Sequence, residues 1–299
     1  MENFALIFAA IFLGYATKRL KLFPEDTPAI LNKFVIYISL PAMTLLEVPK
    51  LTFSLDALIP VIIAWIAMFF SALLVFFVSK FLKFSKEITG ALMLVAVLGN
   101  TSFVGIPVVS AFLGDAALPY ILMYDQLGAF IAVVTYGTFV ASYYSSAVKV
   151  DVKTVAKRVV TFPPFITLLL ALVFMGSTSD PILTGVLSSF SSTIVPLALF
   201  AVGLQLNFKL PSHELKPFSV ALTIKLIISP LIALLACSIF GWDSLSAAVS
   251  ILESGMGPMI VAGALATMAG LSPRLSSAIV GYGILLSFAT SSVLFELIR

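Results

Sequence analysis

Long, continuously apolar runs separated by short polar segments occupy almost the whole chain. An α-helix needs about 20 such residues to cross a bilayer. Ten candidate runs cover residues 3–20, 28–47, 57–82, 87–112, 118–146, 162–177, 181–206, 217–240, 244–269 and 274–297. A membrane barrel would instead show strands of about ten residues with alternating polarity. The pattern therefore predicts an all-α integral membrane protein with ten transmembrane helices and a lipid bilayer as its surroundings.

Two of the ten runs are interrupted near their middle by glycine and proline. The fourth run contains LGNTSFVGIP at residues 98–107, and the ninth contains SILESGMGP at residues 250–258. Interrupted helix at membrane depth survives where protein or a water-filled cavity satisfies the free backbone groups. Two such interruptions at matching places in two halves are typical of a transporter's substrate site.

The longest polar segment divides five apolar runs from five others. It predicts a first five-helix repeat at 1–148, a cytoplasmic linker at 149–160 and a second repeat at 161–299. Because five is odd, the second repeat enters the membrane from the opposite side, which makes the pair an inverted repeat. Pro41 and Pro196, and likewise Gly99 and Gly255, recur with an offset near 155 residues.

Lysine and arginine fall almost entirely on one side of the predicted membrane. Thirteen of them lie in the loops after runs 1, 3, 5, 7 and 9, whereas Lys50 and Arg299 lie on the other side. Short cytoplasmic loops carry such an excess. We therefore expect a multi-pass plasma (inner) membrane protein with both termini outside. The net charge of +3 follows from this topology and does not indicate nucleic acid.

Histidine and cysteine are too scarce for a metal or redox site built from them. The chain has one cysteine, Cys237, within run 8, and one histidine, His213, in a polar loop. One cysteine excludes a disulfide within the chain and a cysteine metal cluster. The sequence therefore predicts no metal and no cofactor.

The interruptions also predict an anion site. The N-terminus of a helix exposes unpaired N–H groups and a partial positive charge, so a half-helix that begins beside Pro107 or Pro258 suits a carboxylate. The expected side-chain donors and close-approach positions are Asn100, Thr101, Ser102, Gly99, Gly105, Ser254, Gly255 and Gly257. The alternative is that these polar groups satisfy only the broken backbone.

Three ionisable residues lie well inside predicted helices: Asp125 in run 5, Lys225 in run 8 and Glu253 in run 9. Such residues are functional candidates because their burial in a membrane is costly. Asp125 and Glu253 are candidates for reversible protonation, and either suits H+ or Na+ as a coupling ion. Lys225 is a candidate fixed cation that faces a substrate carboxylate. The alternative role for Lys225 is a structural ion pair with Glu253 or Asp125.

Several segments resemble the auxin efflux carrier family, the PIN-like carriers and their bacterial relatives. They are GNTSFVGIP in run 4, FVIYISLPAMTLL in run 2, LALFAVGLQL in run 7, IKLIISP in run 8 and the SIL...G..P frame of run 9. Run 9 departs from the PIN-like pattern, with Glu253 and Ser254 in place of Pro-Gln. Run 6 departs from it with Pro163 and Pro164 in place of Asn-Pro.

The resemblance implies a fold and a mode of action. Members of this family, like the related bile acid sodium symporters, have ten helices in two inverted repeats, with helices 4 and 9 broken and crossing. By the same resemblance, helices 1, 2, 6 and 7 form a scaffold that makes a homodimer. Helices 3–5 and 8–10 form a transport core that moves in elevator-type alternating access. The family has a basic residue before the proline of run 8, and in this chain these two residues are Lys225 and Pro230. The resemblance implies that Lys225 either faces the substrate or replaces a coupling sodium ion.

We therefore expect a secondary active transporter of small organic anions, either auxin-like monocarboxylates or dicarboxylates such as malate and malonate. The direction of transport and the coupling ion stay open. A membrane-embedded ligand sensor on the same fold is an alternative, because a fold alone does not fix function. An intramembrane enzyme is a weaker alternative: Tyr124 and Asp125 resemble one half of an aspartyl protease pair, but a second positioned carboxylate is lacking.

Overall fold

The computed structural model describes residues 2–51, 54–145, 153, 156–157, 160–175, 180–206 and 214–299. These residues form helices, and within them extended pairing is limited to one bridge between Gly99 and Pro258. Most of the predicted linker at 149–160, and His213, lie outside the described residues.

The helices follow one another along the chain with short connections. The α-helices are α1 (Glu2–Arg19), α2 (Thr27–Phe34), α3 (Leu40–Glu47), α4 (Leu55–Phe81), α5 (Lys86–Val95), α6 (Ile106–Leu113), α7 (Leu118–Met123), α8 (Thr138–Tyr144), α9 (Pro163–Val173), α10 (Pro181–Ser191), α11 (Ile194–Gln205), α12 (Leu215–Thr223), α13 (Ser229–Phe240), α14 (Leu245–Ser254), α15 (Ile260–Met268) and α16 (Pro273–Ile298). Short π-helical segments join several of them, at Val35–Ser39, Thr101–Gly105, Tyr124–Phe130, Val133–Gly137 and Ile224–Ile228. Short 3-10 segments lie at Val48–Lys50 and Asp115–Ala117.

Within the described part of the chain, six helical stretches are long and apolar enough to cross a membrane. They are Thr27–Lys50, Leu55–Phe81, Asp115–Tyr144, Pro181–Gln205, Leu215–Phe240 and Pro273–Ile298. Shorter apolar helices occupy Thr101–Leu113, Pro163–Val173 and Leu245–Ser254. The prediction of an all-helical membrane protein is confirmed at this level.

Both interruptions predicted from glycine and proline are present. In run 4, α5 ends at Val95 and helix resumes at Thr101. In run 9, α14 ends at Ser254 and α15 begins at Ile260. The helix that follows the first break therefore begins six residues before Pro107. The sequence predicted that it begins beside that proline.

Three of the π-helical segments have a local cause in proline. Pro41, Pro107 and Pro230 each lie two residues after the end of such a segment. Proline has no N–H to donate to the carbonyl four residues earlier, and its ring crowds that carbonyl. The preceding turn widens to accommodate the ring, which is how a helix continues through a proline.

The described helices form two groups by their contacts. In the first group, α1 packs along α11, which also contacts α2, while α9 and α10 pack on α3. In the second group, α4 packs on α13 and α14, and α15 packs on α5 and α16. The two interrupted helices run through the second group and reach the first through contacts of α6 with α1.

Two glycines allow the closest helix contact in the first group. A Cβ atom at Gly203 would overlap the Ile11 carbonyl oxygen and lie 3.0 Å from the Cα of Gly14. The reciprocal Cβ at Gly14 would overlap the Phe200 carbonyl oxygen. Small residues let membrane helices approach this closely, and packing then holds them together.

Candidate functional site

The two helix interruptions lie against each other. The Asn100 N–H donates to the Gly257 carbonyl at 2.8 Å, and the Met259 N–H donates to the Leu98 carbonyl at 2.9 Å. These two bonds flank the bridge between Gly99 and Pro258. Backbone groups that each break would leave without a partner thereby satisfy one another, as burial away from water requires. We call this arrangement the crossing.

Asn100 caps the half-helix that follows the first break. Its Oδ1 atom accepts a hydrogen bond from the Phe103 N–H at 3.3 Å. Its Nδ2 atom is buried and has no hydrogen-bond partner among the described residues. An unpaired buried donor is costly, so the Asn100 amide offers an unused donor at the crossing. The role of Asn100 as a ligand residue stays a prediction.

The hydroxyl groups of Thr101 and Ser102 both donate to Asp125. Their distances to Asp125 Oδ1 are 2.5 Å and 2.6 Å. Asp125 lies in the π-helical segment Tyr124–Phe130 and is 3% exposed. The sequence singled out all three residues but did not pair them. In the structure both hydroxyls bind one buried carboxyl group. These two hydrogen bonds hold the first turn of the half-helix against the π-helical segment.

Lys225 caps the half-helix that precedes the second break. Its Nζ atom donates to the Ser254 carbonyl at 2.8 Å, at the last residue of α14. A cation is favourable there because a helix C-terminus carries unpaired carbonyls and partial negative charge. Within the described residues, no carboxylate oxygen lies within 4 Å of Lys225 Nζ. The direct ion pair with Asp125 or Glu253, the structural alternative for Lys225, is therefore absent from this conformation.

Glu253 is fully buried one residue before the end of α14. Both of its carboxyl oxygens lack a hydrogen-bond partner within the part of the chain that the structure describes. The carboxyl group packs against Gly105 of the other interrupted helix, where an added Cβ atom would lie 2.7 Å from Glu253 Cδ. Gly105 thus makes room for a side chain of the protein, whereas the sequence suggested that it makes room for a ligand.

The remaining predicted site residues take part in packing at the crossing. A Cβ atom at Gly99 would lie 3.0 Å from Lys225 Nζ, and a Cβ atom at Gly257 would lie 2.7 Å from the Cα of Ile284 in α16. The Ser254 hydroxyl donates within its own helix to the Ile251 carbonyl at 2.7 Å. The other predicted site residues Pro107, Gly255 and Pro258 are also buried.

A cavity of about 360 Å³ opens beside the crossing. Its polar wall consists of Asn100, Ser102 and Asp125, with Thr138 further along, and the rest is apolar. Met259 and Val261, at the start of α15, also line it. Binding cavities of this size are commonly apolar with a few polar groups at one place. The cavity is therefore the candidate ligand site.

Sequence reasoning missed the aromatic part of this cavity. Phe130 and Phe162 line it and stack with their ring centroids 3.6 Å apart. Phenylalanine occurs 26 times in the chain, so no pattern marked these two positions. Gln126 was also missed: its Nε2 atom donates to the Thr44 hydroxyl of α3 at 2.6 Å. A polar residue directly after Asp125 in an apolar run was the available signal for Gln126.

Comparisons with known proteins point to a family of membrane transport proteins. A family described as membrane transport protein matches residues 1–295. An uncharacterized transporter of Methanocaldococcus jannaschii is 30% identical over 284 residues, which cover 92% of this chain and 91% of the relative. An uncharacterized transporter of Methanothermobacter thermautotrophicus is 25% identical over 292 residues, 97% and 95% of the two chains. The similarity thus spans nearly all of each protein.

Proposed function

Because the chain belongs to the auxin efflux carrier family of membrane transport proteins, we propose that it is a secondary active transporter of small organic anions. The observation that carries this proposal is the crossing itself, where two interrupted helices meet beside a cavity that Asn100 lines and where the buried amide of Asn100 has no partner among the described residues. Auxin-like monocarboxylates and dicarboxylates such as malate and malonate are the substrate candidates.

A carboxylate fits the start of α15. This nine-residue helix has no side-chain cap at Met259, and its first N–H groups cannot find partners within the helix. Met259 and Val261 line the same cavity as Asn100. The helix dipole and the Asn100 amide would together stabilise one negative group at the polar wall. The predicted ligand roles of Thr101 and Ser102 become indirect, because their hydroxyls orient Asp125.

An inverted repeat of two five-helix units is part of the proposal. The starts of α5 and α14 (residues 86 and 245), their ends (95 and 254) and the resumption of helix at 101 and 260 are all separated by 159 residues. The same offset relates Asn100 to Met259, whose N–H groups make the two hydrogen bonds of the crossing. Constant spacing and reciprocal bonding are what a two-fold axis in the membrane plane would produce.

The two contact groups suit a scaffold and a moving core. The group of α1–α3 and α9–α11 contains helices 1, 2, 6 and 7 of the predicted ten, and the other group contains helices 3–5 and 8–10. We propose that the second group carries the crossing across the membrane in elevator-type alternating access, with the scaffold forming a homodimer. The Gln126 to Thr44 bond joins the groups and would break during this motion.

The basic loops orient the proposed transporter with both termini outside in the plasma membrane. In that orientation the cavity faces the cytoplasm, because it extends from the crossing along α15 to Met268, close to the loop with Arg274. On the other side of the crossing, the first half of the outer half-helix α6, Ile106–Val109, is buried. The structure then corresponds to an inward-open state.

A thermal-shift screen tests the anion site. Purified protein is heated with acetate, benzoate, malate or malonate, at an acidic and a neutral pH, with sodium or choline as the cation. A ligand of the native state at about 100 times its Kd stabilises it by about 2.7 kcal/mol. We expect at least one carboxylate to raise the melting temperature. No shift with any acid, but a shift with a cation or a neutral compound, would contradict the anion proposal.

A pair of variants locates the site. Asn100→Asp retains the oxygen that caps Phe103 and replaces the Nδ2 donor by negative charge, so the carboxylate shift should disappear. Ser110→Ala is the matched control, because its hydroxyl donates within its own helix to the Ile106 carbonyl. Wild-type shifts in both variants would refute the assignment of Asn100.

A further inference from the structure

We propose that Glu253 is the coupling-ion site of this protein and that the ion is a proton, held on the Glu253 carboxyl group inside the crossing. The carboxyl is enclosed between the two interrupted helices, against Gly105, and none of its surface is exposed. Coupling of this proton to transport rests on the proposed function, whereas proton binding at Glu253 does not.

The missing hydrogen bonds at Glu253 determine its charge. Neither carboxyl oxygen has a donor within reach in the described ranges. An ionised carboxylate without a partner in an apolar interior is far more costly than a neutral acid, so such a group takes up a proton instead. The packing against Gly105 without any hydrogen-bond partner among the described residues therefore favours the protonated form.

The groups around Glu253 are already engaged with other partners. Asp125 and Tyr124 from one π-helical segment and Lys225 from another are the titratable groups that interact electrostatically with it. Asp125 accepts hydrogen bonds from two hydroxyl groups, and the Lys225 ammonium donates a hydrogen bond to the Ser254 carbonyl. Because these neighbours are engaged elsewhere, the Glu253 carboxyl group has no hydrogen-bond partner among the described residues.

The same engagements favour a proton over a sodium ion. A hard cation is held by several oxygen ligands at once. The hydroxyls of Thr101 and Ser102 point their hydrogens at Asp125, and the Ser254 carbonyl faces an ammonium group. A proton needs one carboxyl oxygen, which Glu253 supplies. The described residues also contain no group of three or more acidic, histidine or cysteine side chains that would hold a metal ion.

Charge balance couples this proton to an anion. The hydroxyl donors of Asp125 and the carbonyl acceptor of Lys225 favour the charged forms of both groups, so the crossing is neutral when Glu253 is protonated. A bound substrate carboxylate then gives the crossing one net negative charge. If Glu253 were ionised, the same substrate would bring the crossing to two net negative charges. Proton and anion therefore favour each other's binding, and the effect is reciprocal.

The proton step is a simple acid ionisation. Water on one side of the membrane supplies H+ to the Glu253 carboxylate, where an O–H bond forms, and the same bond breaks when the acid faces the other side. In the observed conformation the carboxyl has no contact with solvent. Exchange with water then requires the crossing to open, so the proton moves with the conformational change.

Infrared spectroscopy of protein with 13C-labelled glutamate carboxyls tests the site without any substrate. We expect a protonated-acid carbonyl band at neutral pH in the wild type and its loss in Glu253→Gln. Glu47→Gln is the matched control, because Glu47 is also buried but pairs with Lys50 at 2.6 Å. The band should persist in that variant. If Glu253→Gln fails to fold, the wild-type spectrum still decides, since absence of the band overturns the proposal.

Two further results would also overturn it. Loss of the band on addition of sodium chloride, but not choline chloride, would identify sodium as the ion. A band in unlabelled protein that disappears in Asp125→Asn and survives in Glu253→Gln would move the proton to Asp125. Failure of the transport function has a different signature: the Glu253 band is present, yet vesicles take up none of the four carboxylates. Carboxylate uptake without proton movement, measured with a pH-sensitive dye inside the vesicles, would instead overturn the coupling.

Discussion

Replacing Gly105 by alanine tests whether the two interrupted helices are joined through the Glu253 carboxyl. The added methyl would lie 2.7 Å from Glu253 Cδ and closer to its oxygens, which is inside van der Waals contact. Glu253 is fully buried, so its side chain cannot move without displacing neighbours. Overpacking of this kind costs about 1–3 kcal/mol. We therefore expect Gly105→Ala to lower the melting temperature by several degrees.

Two comparisons make this prediction specific. Gly185→Ala is the matched control, because no atom lies within 4 Å of a Cβ at that exposed helical position, and it should cause no loss of stability. Adding Glu253→Ala to Gly105→Ala should cost less than the sum of the two single variants, by about 0.5–3 kcal/mol, since the clash is then removed. Equal melting temperatures for Gly105→Ala and Gly185→Ala, or strictly additive losses, would refute the contact.

Two other variants test contacts elsewhere in the fold. Lys225→Met should cost about 1–3 kcal/mol, because the buried Ser254 carbonyl loses its donor. Lys33→Met is the matched control and should cost little, because Lys33 is exposed in the last turn of α2; equal melting temperatures would show that Lys225 is not a cap. Gly203→Ala should lower the melting temperature by a similar energy, because its methyl meets the backbone of Ile11 and Gly14. A melting temperature for Gly203→Ala as high as that of Gly185→Ala would contradict the close helix contact.

The positions of the helices could be read from the sequence to a large extent. Apolar length located the helical stretches, and glycine with proline located both interruptions, because these residues change backbone conformation locally. The π-helical segments before Pro41, Pro107 and Pro230 were not predicted. A proline can kink, widen or end a helix, and the choice depends on how neighbouring helices satisfy the freed carbonyl.

The hydrogen-bond partners at the site could not be read in the same way. Asp125, Lys225 and Glu253 were singled out because charge is costly in a membrane. Which of them would pair depended on distances between helices that lie far apart in sequence. Lys225 was expected to face a substrate or a carboxylate, and it donates to the Ser254 carbonyl. The role of Gly105 likewise depends on its contact with Glu253, which lies far away in the sequence.

Under the proposed repeat, the backbone of the crossing is symmetric and its chemistry is not. At the offset of 159 residues, Leu94 corresponds to Glu253, Ile66 to Lys225, and Ile284 to Asp125. The reciprocal backbone bonds need no particular side chains, so each half can supply them equally. Lys225, Asp125 and Glu253 therefore make the crossing chemically asymmetric, because their counterparts in the other repeat are apolar. Two-fold backbone geometry would then provide the alternation between membrane sides, while the three ionisable residues without a charged counterpart would decide which ions accompany it.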